Sequence, residues 1–80
     1  MTKRSYSIKL DTVELVKNFS NLATRVNGTV LIKSDRWIID GKSIMGIFSL
    51  DLSKTLSCRI EASEEQIETF EAGLKDLKLL

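Results

Sequence analysis

Histidine is absent from this chain. That removes the side chain whose ordinary titration falls near neutral pH, and with it phosphoryl transfer through an imidazole. It also removes the usual zinc ligand sets. Cysteine occurs once, as Cys58, so no internal disulfide can form. With no imidazole to activate it, Cys58 reads as a small apolar side chain on the inward side of a strand. One free thiol fits a reducing cytoplasm, where the protein is expected to reside. No sign of charge dominates: the formal net charge is +1, and the only basic cluster is Lys3-Arg4 at a terminus. Nucleic acid and acidic substrates are therefore not expected partners. Long apolar runs are missing too, and none approaches the roughly 20 residues of a membrane span. Lys9 and Asp11 interrupt the N-terminal apolar residues too early for a signal peptide. No carboxylates cluster at liganding spacing, so neither a metal nor a cofactor is expected.

What remains is an ordinary small globular composition, with 42% apolar and 29% charged residues. Eighty residues make a single domain, 1–80. A chain of this size buries only about 60–65% of its unfolded surface, so its core is small.

The hydrophobic periods set out seven elements. Tyr6, Ile8 and Leu10 alternate with Ser7 and Lys9, the pattern of a half-buried strand. Asp11, with Glu14 three positions on, reads as a capping box. Val13, Val16, Phe19, Leu22, Ala23 and Val26 then form one helical stripe over about four turns. Asn27-Gly28 ends that helix, glycine suiting the left-handed position there. Thr29 to Lys33 and Trp37 to Ile39 are β-branched or aromatic runs joined by the short polar loop Ser34-Asp35-Arg36, a hairpin. Asp40-Gly41-Lys42 is a turn leading to Ser43, which caps a short apolar helix running to Leu50. Leu56, Cys58, Ile60 and Ala62 alternate against Ser57, Arg59 and Glu61 as a fourth strand. Ser63 with Gln66 forms another capping box, and Ile67, Phe70, Leu74 and Leu77 stripe a last helix. Glu64, Glu65, Glu68 and Glu71 fall on its exposed side.

Each helix has one apolar stripe and each strand one apolar face. The solution is an α+β, open-faced two-layer sandwich: a four-stranded antiparallel sheet with three helices on one face, in the order βαββαβα. Phe19, Ile47, Ile60, Phe70 and Leu74 are expected at its centre. A ferredoxin-like split βαβ fold has nearly this order but does not require the short Ser43 helix.

The run Lys42-Ser43-Ile44-Met45-Gly46-Ile47, followed by Ser49-Leu50, closely resembles the regulatory-serine segment of the HPr family. These are phosphocarriers of the bacterial sugar phosphotransferase system. The resemblance is strongest from Trp37 to Ala62 and collinear over the first and last helices. It implies the HPr-like fold and a regulatory phosphorylation site at Ser43. It further implies partner contacts through Lys42, Ile44, Met45 and Phe48, with an HPr-type serine kinase and a transcriptional regulator among the partners. The N-terminal third departs from the pattern. The family's carriers place a Gly-hydrophobic-His-Ala-Arg-Pro-Ala segment between first strand and first helix. Here Leu10-Asp11-Thr12-Val13-Glu14 runs straight through, and the chain has no proline. The resemblance therefore points to a non-enzymatic regulatory protein unable to act as a histidine phosphocarrier. A histidine-less HPr paralogue of catabolite repression is the analogue.

The residues themselves leave several alternatives. A helix of about two turns cannot bury Ile44, Met45, Ile47 and Phe48 together. Ile47 and Leu50 share the core side, which leaves Ile44, Met45 and Phe48 to a docking surface or to packing against nearby loops. Trp37 reads as a core residue, with a binding platform as the alternative. Ser43 is either a regulated residue or only a cap. A phosphorylation-independent interaction module and a small-molecule sensor on the same sandwich are rival functions. Oligomeric state is open. Gly41-Lys42-Ser43 is not a P-loop, because Arg36 stands where that motif needs its first glycine.

Overall fold

The computed structural model describes residues 1–80. Its elements are β1 (Thr2–Ile8), α1 (Val13–Thr24), β2 (Thr29–Lys33), β3 (Ile38–Asp40), α2 (Ile44–Phe48), β4 (Leu56–Ala62) and α3 (Glu64–Asp76). The strands make one antiparallel sheet in the order β1-β4-β2-β3. This is the α+β, open-faced sandwich that the seven-element order implies.

Period-2 alternation places one side of the sheet against the helices. On β4, Leu56, Cys58, Ile60 and Ala62 are buried, while Ser57 and Arg59 are exposed. Register carries the same face across the sheet: Ile60 lies opposite Arg4 and Val30, and Cys58 opposite Tyr6 and Ile32. A slip of one residue would turn every one of these side chains to the other face. Phe19, Ile47, Ile60, Phe70 and Leu74 are all at or below 1% exposure, as expected for the centre of the core. Phe19 of α1 meets Phe70 of α3 edge-on, with ring centroids 6.0 Å apart. Burial pushes the Cys58 thiol up to about 12, so it stays neutral and inert, as its inward position implies.

Several local features differ from the sequence reading. Strand β1 begins at Thr2 and stops at Ile8; Leu10 lies beyond it yet is fully buried. The cap of α1 is Thr12, whose hydroxyl accepts from the Leu15 N–H at 3.0 Å, so Asp11 is not the cap. Burial of Leu10 keeps the chain extended past Asp11, and the turn starts one residue later. Val13 consequently falls at the first helical position, 59% exposed, and the stripe starts at Val16. Helix α1 ends at Thr24, and no glycine has positive φ. Gly28 is needed for closeness instead: a Cβ there would run into the Glu61 carbonyl oxygen of β4. The Ser63 hydroxyl caps α3 through the Gln66 N–H at 3.3 Å, but the Gln66 side chain accepts from the Asn27 N–H rather than completing a box. Trp37 precedes β3 and is 65% exposed, so it is not a core residue. Glu71 is half-buried rather than solvated: it accepts from the Tyr6 hydroxyl at 3.0 Å and pairs with Arg4 at 3.6 Å.

Helix α3 closes with a residue other than glycine in the left-handed region, Lys78 at φ 59°. The Leu79 N–H reaches the Leu74 carbonyl and the Lys78 N–H reaches the Lys75 carbonyl, both at 2.9 Å. These two bonds satisfy carbonyls the helix leaves open and define a Schellman ending.

Candidate functional site

The segment 40–50 is held from three directions. The Gly41 N–H donates to the Val30 carbonyl at 2.7 Å, and a Cβ on Gly41 would sit 2.7 Å from the Val30 side chain. The buried Ser20 hydroxyl of α1 donates to the Lys42 carbonyl at 3.3 Å. The Asp40 carboxylate accepts from the Lys42 N–H at 2.9 Å. The entrance to α2 is thus tied to α1, to β2 and to its own turn.

Ser43 has extended backbone, φ −97° and ψ 101°, and its exposed hydroxyl accepts from the Gly46 N–H at 3.2 Å. It is the N-cap of α2, as its position before an apolar run implied. Gly46 makes this turn compact. A Cβ there would stand 2.6 Å from Ile39 of β3 and 3.1 Å from the Ser43 hydroxyl.

Lys42 does something local sequence does not reveal. Its ammonium donates to the Val26 carbonyl at 2.9 Å and to the Gly28 carbonyl at 3.0 Å. Two of its three N–H donors are therefore spent on the chain just beyond α1. It is an anchor between α2 and the α1–β2 connection rather than a free cation beside Ser43.

The apolar residues of α2 divide by side. Ile47 is fully buried, and Leu50, just past the helix, is 8% exposed. Ile44 is half-buried and packs against the core. Met45 is 82% exposed and Phe48 41% exposed. The structure thus brings Ser43, Met45 and Phe48 to the surface on one short helix and turns most of Ile44 inward.

With this architecture in hand, solved structures supply the comparison. The phosphocarrier protein HPr from Bacillus anthracis str. Ames matches with a TM-score of 0.66 at 23% identity, over 91% of this chain and 98% of that one. The fold is HPr-like. HPr-C-His from Thermoanaerobacter tengcongensis matches with a TM-score of 0.68 at 26% identity, over 96% of this chain and 90% of its own. A histidine-containing phosphocarrier protein of Mycoplasma gives a TM-score of 0.73 at 14% identity, over 99% and 98%. No protein-family model and no curated protein matches the chain. Identities this low establish the HPr-like fold; what the fold does here has to come from its residues. The Mycoplasma carrier is described by its histidine, and this chain has none.

Proposed function

We propose that this chain is a non-enzymatic, HPr-like regulatory protein of the bacterial cytoplasm, acting through protein–protein contact at α2. The observation that carries the reading is Met45, 82% exposed two residues after an exposed Ser43 hydroxyl. An adaptable thioether left in water beside a half-exposed Phe48 suits a surface that a partner covers. Ser43 is the proposed phosphorylation site, an HPr-type serine kinase the proposed writer, and a transcriptional regulator the proposed reader. Phosphate oxygens can take over the bond that the hydroxyl accepts from Gly46, so the fold would survive the modification. Lys42, Ile44, Met45 and Phe48 form the proposed contact region. In it Lys42 holds the helix entrance and Met45 and Phe48 supply most of the exposed apolar surface.

The cap bond itself favours a second reading, in which Ser43 only holds the helix and contact needs no phosphate. In both readings the chain carries no phosphate on an imidazole. Incubated with the general phosphotransferase enzyme and phosphoenolpyruvate, it is expected to acquire no acid-labile phosphate. Stoichiometric labelling seen by mass spectrometry would overturn that. Met45→Ala is expected to leave stability nearly unchanged and to weaken partner binding.

A further inference from the structure

Between the Ser34–Trp37 turn and the chain that follows α2 lies a cavity of about 240 Å³. The Ser34 N–H closes the turn by donating to the Trp37 carbonyl at 2.9 Å. Asp35 on the turn pairs with Lys54 at 3.4 Å and so ties the two walls together. Trp37 lines the cavity and is 65% exposed. It also lines a second hollow, with Ile39 and Ser49. An indole left bare between two hollows offers a flat apolar face to a ligand. Two further charged side chains line the first cavity, Arg36 and Asp51. They do not pair with each other, and Arg36 has no carboxylate within 4.0 Å. Asp51 accepts from the Ser53 hydroxyl at 2.6 Å and the Ser53 N–H at 3.1 Å, both on Oδ1. Those bonds hold its carboxyl below the ordinary value, so it is ionised at neutral pH, and they leave Oδ2 unbonded.

We propose that this cavity binds a free α-amino acid with an aromatic side chain. Arg36 takes the carboxylate, Asp51 the ammonium and Trp37 the ring. The charges select the class. One unpaired cation and one unpaired anion on the same cavity are matched by a molecule that carries one of each. A simple anion would satisfy Arg36 and set its charge against Asp51. A simple cation would satisfy Asp51 and set its charge against Arg36. A neutral sugar would leave both unmatched. A guanidinium holds a carboxylate through two parallel hydrogen bonds, and an ammonium can donate to the open Oδ2 of Asp51. Size agrees: 240 Å³ lies just below the roughly 300–1,000 Å³ of sites for drug-sized ligands, which suits a smaller molecule. The cavity is open to water, where each ion pair contributes little, so the affinity is on the order of millimolar. Neither Ser43, Met45 nor Phe48 lines it. The proposal is therefore independent of the α2 surface and of phosphorylation at Ser43.

The test is titration of the isotope-labelled protein with phenylalanine, followed by amide and indole NMR shifts. Trp37 is the single tryptophan, so its indole signal is unambiguous. Saturable shifts are expected at the Trp37 indole and in residues 34–37 and 49–56. Two analogues separate the charges: 3-phenylpropionate lacks the ammonium and phenethylamine lacks the carboxylate. Each should bind about threefold to tenfold more weakly than phenylalanine. Arg36→Gln should weaken phenylalanine and 3-phenylpropionate by a similar factor and leave phenethylamine unaffected. Asp51→Asn keeps an oxygen for the Ser53 bonds, and it should weaken phenylalanine and phenethylamine but not 3-phenylpropionate. Trp37→Ala should weaken all three, and Met45→Ala none. Circular dichroism checks that the variants fold. If Trp37→Ala does not fold, the two charge variants decide. Absence of saturable shifts with phenylalanine would overturn the proposal. So would equal binding of the three compounds, or phenylalanine binding that is unchanged in both Arg36→Gln and Asp51→Asn.

Discussion

The Lys42 ammonium donates to the Val26 carbonyl oxygen at 2.9 Å and so joins the entrance of α2 to the end of α1. A lysine at the surface is usually replaceable at little cost, within about 0.5 kcal/mol. This one leaves two carbonyls, of Val26 and Gly28, without their partner when it is lost. Lys42→Met keeps the stem and removes both bonds. It is expected to cost about 1–3 kcal/mol in urea unfolding, with faster amide exchange around residues 26–30. A change indistinguishable from a surface control would show that the two bonds do not form in solution.

Three glycines should respond to alanine in a fixed order. At Gly28 the new methyl meets backbone, the Glu61 carbonyl oxygen of the central strand, which cannot move without breaking the sheet. At Gly46 it meets the Cγ2 methyl of Ile39, on a stiff β-branched side chain. At Gly73 it meets the terminal methyls of Leu22, which can rotate away, and alanine is a better helix residue by about 1 kcal/mol. Gly28→Ala is expected to be the most destabilising and to reach or exceed the upper part of the ~1–3 kcal/mol range for overpacking. Gly46→Ala should fall inside that range, and Gly73→Ala should be near neutral. Denaturant midpoints of the three variants check the order.

Lys78 carries the left-handed conformation that ends α3, at φ 59°. A side chain in that region costs about 1–2 kcal/mol, and glycine does not pay it, although glycine loses more chain entropy on folding. Lys78→Gly is therefore expected to raise stability by about 0.5–1 kcal/mol, seen as a higher midpoint of unfolding.

Stability should fall at alkaline pH. Burial raises the Cys58 thiol from 9.0 to about 12. Burial, then the bond to Glu71, also raises the Tyr6 phenol above 10.0. Both groups hold their protons longer folded than unfolded. Their contribution is complete below the unfolded values and is lost as pH climbs through the folded ones. Unfolding free energy should thus decline from about pH 9 upward. Cys58→Ala should flatten part of that decline, at some cost in packing. Native Cys58 should resist thiol reagents at neutral pH and react only on unfolding.

Much of this fold was legible because its periods are clean. Leu56, Cys58, Ile60 and Ala62 alternate without a break, and Val16, Phe19 and Ala23 keep one helical side. Ser43 and Ser63 cap their helices, as their places before the apolar runs implied. Three features were not legible, each because its cause lies far along the chain. Asp11 and Thr12 are both capable caps, and the burial of Leu10 decides between them. The position of Trp37 depends on where β3 begins against β2, so its exposure cannot be read from its type. The Lys42 anchor reaches carbonyls 14 and 16 residues away, and no local pattern announces it. Around the candidate site, the division of α2 into buried Ile47 and exposed Met45 followed from helical spacing. Ile44 turned further inward than spacing alone suggested, because it packs against the core.

The central proposal is that Ser43 is a regulated residue on a docking helix, and phosphosite mapping tests it most directly. As a cap, Ser43 should cost about 0.5–2 kcal/mol when replaced by alanine. As a regulated residue it should also be a kinase substrate in the folded protein. The pure chain is treated with an HPr-type serine kinase and ATP, with authentic HPr as the positive control, and the phosphate is located by mass spectrometry. One phosphate at Ser43, absent from Ser43→Ala and compatible with a folded spectrum, is the expected result. No modification at Ser43 while the control is fully labelled would contradict it and leave Ser43 as a cap alone.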